Sequence, residues 1–137
     1  MPCSTGVRFL SALKGGVSTE ESDDPHPQEV FADHGKRLGT GDLNLITANY
    51  TEDAVFVTPE GTLTGHQGVR EGIGRLLADL PDADWQLTPR FAGNVLFLQW
   101  TATHEVTDGV DTFVFRDGLI GAQTVRYTLS TRTTRTV

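Results

Sequence analysis

The chain has 137 residues, which fits one domain whose folding buries about two-thirds of the unfolded surface without disulfide staples. Its 18 acidic and 11 basic side chains leave a formal charge of −7, which opposes nonspecific binding to nucleic acid or anionic lipid. The single cysteine, Cys3, excludes an internal disulfide framework and any multi-cysteine metal site. No apolar run approaches the roughly 18 residues of a membrane span, and residues 7–13, interrupted by Arg8 and closed by Lys14, are too short and charged for a secretion signal. The default expectation is a cytoplasmic protein.

Residues 1–26 combine Ser, Thr and Gly with the acidic run Glu20-Glu21-Ser22-Asp23-Asp24. Little there can bury itself, so a mobile leader is expected, with the domain over 27–131 and a tail at 132–137. Pro27 suits a first helical turn, and Glu29 favours the positive end of its dipole. Val30, Phe31, His34 and Leu38 share one helical stripe, which turns His34 inward. Gly39-Thr40-Gly41 ends this helix. Asp42 caps a second, short one on which Leu43, Ile46 and Tyr50 share a face. A β-branched run at 54–58 is closed by Pro59. Glu60-Gly61 then turns the chain, and 62–64 pairs back. A third helix is predicted over 66–80, with Val69, Ile73, Leu76, Leu77 and Leu80 buried. Gly68, Gly72 and Gly74 each weaken it by up to about 1 kcal/mol relative to Ala, so something must pack closely there.

The rest reads as strands at 85–92, 95–106, 110–115 and 119–129, separated by Gly93-Asn94, Asp108-Gly109 and Asp117-Gly118. Tight turns between sequential strands give an antiparallel meander. Helices followed by a curved sheet argue for an α+β fold. In the second of these strands the even positions, Leu96, Leu98, Trp100, Ala102 and His104, form the more apolar side and should face the helices. Asp111, Phe113 and Phe115 share a face of the next strand, and Gln123, Val125, Tyr127 and Leu129 a face of the last. The opposite faces are also largely uncharged, so a second copy of the chain is expected to cover them.

Polar residues that share a face with core residues are the candidates for chemistry. They are His34, His104, Asp111 and Tyr127, with Thr58 and Gln123 as weaker members and Trp100 and Phe113 beside them. Each has a plainer reading. His34 is first of all a core histidine, Asp111 lies two residues after a turn signal, His104 faces it across the hairpin, and the aromatics belong in a core. A buried Asp needs a partner or a raised pKa. No paired His at i, i+4 suggests a metal, and no nucleophile elbow, phosphate loop or dinucleotide fingerprint is present. No cofactor and no metal are expected.

The order of motifs is more specific than any one of them. Gly41-Asp42-Leu43, Tyr50-Thr51-Glu52-Asp53-Ala54, Thr58-Pro59-Glu60-Gly61 and Gly65 precede the third helix, and Asp111-Thr112-Phe113-Val114-Phe115-Arg116-Asp117-Gly118-Leu119-Ile120 forms a late hairpin. This run, over residues 28–129, resembles the nuclear transport factor 2-like superfamily, in its SnoaL-like and ketosteroid-isomerase-like branch. The resemblance implies a cone: three helices on a strongly curved, mostly antiparallel sheet, with an apolar pocket between them and a homodimer through the outer sheet face. It places His34 where ketosteroid isomerases carry a helix tyrosine, and Thr58 where they carry the catalytic carboxylate. Asp111 matches their hairpin acid and Tyr127 an aromatic on the last strand. Thr58 cannot abstract a proton near neutral pH, which argues against ordinary 3-oxo-steroid isomerisation.

Two readings of function follow. The first is a cofactor-independent isomerase, cyclase or dehydratase acting on an apolar carbonyl compound. Here His34 and Asp111 are catalytic, and Thr58, Trp100, His104, Phe113, Gln123 and Tyr127 bind substrate in one pocket. In this reading a protonated Asp111 assists a basic His34, or an ionised Asp111 orients a histidine. The second is a non-catalytic domain that binds a ligand or another protein.

Overall fold

Local chemistry sets the element boundaries in the computed structural model, which describes residues 24–130. Residues 1–23 of the leader expected over 1–26, and the tail at 132–137, lie outside the described residues. Helix α1 (Pro27–Thr40) opens where the Glu29 carboxylate accepts from the His26 backbone N–H at 3.0 Å, and closes on Gly41 at φ 71°. Asp42 caps α2 (Leu43–Thr47), its side chain accepting from the N–H groups of Asn44 and Leu45 at 3.0 and 3.3 Å. Strands β1 (Tyr50–Thr58) and β2 (Gly61–Thr64) precede α3 (Gly65–Asp79), and β3 (Trp85–Ala92), β4 (Val95–Ala102), β5 (Val106–Arg116) and β6 (Leu119–Arg126) follow. No helix among the described residues is long and apolar enough to cross a membrane.

The six strands form one sheet in the order β2-β1-β6-β5-β4-β3, antiparallel except for the parallel β1–β6 pair. Register breaks between Tyr50 and Val55, Trp100 and Ala102, and Val114 and Phe115 bend the strands, as extra residues in a ladder do. The three helices lie on the resulting curved sheet, the α+β cone predicted from the sequence. Its core joins Val30 and Ile46 with Val69, Ile73 and Leu76 of α3 and with Phe56, Leu96, Leu98, Phe113 and Ile120 of the sheet. Two α3 glycines have the tight contacts their sequence demanded. A Cβ on Gly68 would come within 2.8 Å of the Leu63 backbone, and one on Gly72 within 2.4 Å of the Phe56 ring. Gly74 has only an ordinary contact, 3.6 Å from Leu43.

Three boundaries differ from the sequence reading: the last strand ends at Arg126, before Tyr127 and Leu129, and two others lie further back. Tyr50 begins β1 rather than ending α2. The chain also turns at 103–105, not at Asp108-Gly109: Thr103 takes φ 45°, and its N–H donates to the Asp84 carbonyl at 2.9 Å. Asp108-Gly109 lies inside β5 because Gly109 pairs with Trp100, and a Cβ there would sit 2.2 Å from the indole. The glycine gives the ring room to lie across the strand. Asp111 is therefore a buried mid-strand residue, not a solvated turn residue.

The outer sheet face carries two cross-strand rows, Val57-Thr124-Thr112-Phe97 and Val55-Ala122-Val114-Val95. Val57, Val95 and Phe97 are exposed by 37%, 36% and 41%, so this uncharged band is open in the single chain.

Candidate active site

A cavity of about 230 Å³ opens beneath α1. Its floor is Leu98 and Trp100 of β4, Asp111 and Phe113 of β5, and Gln123 of β6. Phe31, His34 and Leu38 of α1 roof it, Ile73 and Leu76 of α3 wall one side, and exposed Trp85 and Leu87 form its rim. Phe31 fixes the roof to the sheet by edge contacts with Phe91 and Phe113, ring centres 6.1 and 5.6 Å apart.

Asp111 sits in the floor with 4% exposure. Its Oδ1 accepts from the Trp100 indole N–H and its Oδ2 from the Gln123 amide, both at 2.9 Å. The Tyr50 hydroxyl donates to Gln123 Oε1, which orients that amide. Burial raises the Asp111 pKa to about 6, and the two hydrogen bonds, which favour the ionised form, restrain the rise. Burial, with the Asp111 charge added, pushes the Tyr50 phenol well above its ordinary value, so it stays a donor.

His34 has 1% exposure. The Asn49 amide donates to Asp33 Oδ2 at 3.2 Å, which turns its Oδ1 toward His34 Nδ1 at 3.3 Å. Arg37 in turn holds Asp33 at 2.8 Å. This chain places the imidazole proton on Nδ1. Nε2 is then a bare acceptor, buried and without a partner among the described residues. Burial lowers the pKa to about 4, outweighing the Asn49 bond and the Asp33 charge, which raise it.

One cavity thus gathers His34, Trp100, Asp111, Phe113 and Gln123. Thr58 and Tyr127 are not among its lining residues. They line a second cavity of about 340 Å³, which Leu76 also borders. The Tyr127 hydroxyl donates to Asp79 Oδ2 at 2.7 Å, and Thr58 Oγ1 donates to the Gly61 carbonyl at 3.2 Å across its turn. His104 is corrected outright: it is exposed in the 103–105 turn, because the inward alternation of β4 ends at Ala102. Asp111 also does not orient a histidine; Asn49 and Asp33 do that. Those two residues and Tyr50 are the parts of the site that the sequence reading missed. No periodicity links Asn49 to His34 across 15 residues; only a polar residue directly before the β1 run hinted at it. Among the described residues no group of three His, Cys, Asp or Glu is placed to hold a metal.

Residues 31–122 match the SnoaL-like domain model, and the chain belongs to that family. No curated protein matches the sequence. A SnoaL-like protein of unknown function from Burkholderia thailandensis superposes with a TM-score of 0.62 at 15% identity, covering 74% of this chain and 94% of that one. A proposed isomerase of the SnoaL-like family from Agrobacterium tumefaciens gives 0.56 at 18% identity, covering 74% and 93%. SalBIII, an epoxide hydrolase/cyclase-like enzyme with a role in pyran ring formation in the polyether salinomycin, gives 0.59 at 18% identity, covering 74% and 89%. At these identities the likeness shows the fold.

The two buried groups drive stability in opposite directions with pH. His34 binds its proton more weakly folded (about 4) than unfolded (6.5), so its contribution is full above pH 6.5 and lost as pH falls through 4. Asp111 binds its proton more tightly folded (about 6 against 3.8), so its contribution is full below pH 3.8 and lost as pH rises through 6. Each amounts to roughly 3 kcal/mol at the exchange of 1.36 kcal/mol per unit, and they offset each other between pH 4 and 6. In urea melts from pH 7 to 4, Asp111→Asn should lose about 3 kcal/mol more than wild type. His34→Gln should gain about as much relative to wild type. Parallel pH profiles for all three proteins would contradict the assignment.

Proposed function

We propose that this protein is a cofactor-independent acid-base enzyme, an isomerase, cyclase or dehydratase, acting on a small apolar carbonyl compound. The observation that carries the reading is the bare, buried Nε2 of His34, a residue that lines one apolar cavity together with Asp111. Such a nitrogen costs stability, and a reaction that needs a base gives it a use. The neutral imidazole takes a proton from the substrate, and Asp111 in its protonated form donates to the oxygen where negative charge develops. Environment has separated the two groups, one lowered to about 4 and the other raised to about 6, which divides the roles of base and acid. The cavity's 230 Å³ lies below the usual 300–1,000 Å³ of drug-sized sites, which favours a substrate of one or two rings. The proposed isomerase and the cyclase-like enzyme among the structural relatives support the reaction class. Thr58, lining the other cavity, supplies no base here.

This mechanism requires neutral His34 and protonated Asp111 together. The kcat/KM profile should therefore be a bell, rising through about pH 4 and falling through about pH 6. His34→Gln should lower kcat/KM by about 10²- to 10⁴-fold with its circular dichroism retained. Full activity in both His34→Gln and Asp111→Asn would reject the site.

We also propose a homodimer through the outer sheet face, supported by its two uncharged rows and the exposure of Val57, Val95 and Phe97. Sedimentation should give a dimer for wild type and a monomer for Phe97→Asp. A monomeric wild type would refute it.

A further inference from the structure

The registers of the sheet put the floors of the two cavities side by side. Gln123 and Asp111 line the small cavity, Phe56 and Val125 the large one. Phe56 pairs with Gln123 between β1 and β6, and Val125 with Asp111 between β6 and β5. Trp100 and Tyr127, one from each lining, stand with ring centres 5.5 Å apart. Residues paired on neighbouring strands lie only about 5 Å apart, so two separate spaces above them need a wall that comes down from the helices. Among the described residues, Leu76 of α3 alone lines both cavities.

The seat of that side chain is fixed one turn earlier. Gly72 lets α3 press against the Phe56 ring, where a Cβ would come within 2.4 Å. Residues four apart share a helix face, so Leu76 is carried down over the same part of the sheet. It is buried, and it belongs to the core cluster. The two spaces differ in character. The large one holds the Tyr127 hydroxyl on Asp79, 2.7 Å apart, with Glu60 and Arg75 beside them. A ligand confined to the small one meets none of these groups. Without the wall, the 230 Å³ beneath α1 would gain the 340 Å³ next to it, which more than doubles the room.

We infer that Leu76 sets the length of substrate this protein accepts, by closing the small cavity off from the large one. A ligand whose carbonyl lies by His34 and Asp111 can grow only until its tail meets Leu76. The placement of the carbonyl rests on the acid-base reading proposed above. The length limit is a property of binding and is tested without turnover.

The test is a tryptophan-fluorescence titration with the unbranched methyl ketones from 2-pentanone to 2-undecanone. The chain's two indoles, Trp85 and Trp100, both line the small cavity and report on it. In wild type each added carbon should tighten binding about fourfold until the tail meets Leu76, and further carbons should add nothing. Leu76→Ala removes three carbons, so an opened wall should extend the gain by more than three. Thr58→Phe, which fills the large cavity from the β1 side, should cancel that extension in the double variant and leave the wild-type limit unchanged. Where Leu76→Ala fails to fold by circular dichroism, Leu76→Val should extend the gain by more than the one carbon it removes. A wild-type gain that runs unbroken to 2-undecanone, an extension no longer than the carbons removed, or binding of no ketone overturns the inference. A limit set by Leu76 in a protein that turns over no enolisable ketone would leave this inference standing and remove the enzymatic reading. Turnover with a limit indifferent to Leu76 would do the reverse.

Discussion

Burying two titratable side chains under one helix is the constraint around which the rest of this fold is arranged. An unpaired polar atom in an apolar interior costs about 1–3 kcal/mol, and a buried charge costs more. The protein meets that cost with two hydrogen-bonded chains. One runs from Arg37 through Asp33 and Asn49 to His34, tying α1 to the start of β1. The other runs from Tyr50 through Gln123 to Asp111 and on to Trp100, tying β1, β6, β5 and β4 across the sheet. Adjacent residues, Asn49 and Tyr50, serve the two chains. Only Nε2 of His34 is left out of both, and it is the base in the proposed mechanism.

The floor chain depends on how the sheet bends. The register break between Trp100 and Ala102 and the missing side chain at Gly109 let the indole lie flat across β5 and reach the carboxylate two residues on. A larger residue at 109 would displace the ring and free Asp111 from one of its two donors. Curvature, a glycine and a buried acid are thus one device: the bend makes the cavity and the glycine sets the acid in its floor.

Much of this was legible in the sequence, for reasons that differ by residue. His34 sat on an apolar helical stripe, and periodicity alone turned it inward. Asp111, Phe113 and Phe115 shared a strand face, and alternation alone put the acid in the core. Asp108-Gly109 misled because a glycine needed for close packing carries the same two letters as a turn. The true turn, at Thr103 with its positive φ, has no glycine and so gave no signal. His104 was carried to the wrong face by that one displaced boundary. Thr58 and Tyr127 were assigned to the site because they share faces with core residues, and the family pattern agreed. Which cavity they line is decided by the packing of α3 against the sheet, which no local pattern encodes. Asn49 and Asp33 escaped notice because their role is a long-range hydrogen bond.

Everything claimed for the site rests on the protonation state of one ring. Nitrogen NMR of the His34 imidazole, followed from pH 7.5 to 3.5, reads it directly. The account predicts a neutral ring protonated at Nδ1 with a bare Nε2, titrating near pH 4. A proton on Nε2, or a midpoint at the ordinary 6.5, would mean that the cavity holds no free base and that the proposed chemistry is wrong.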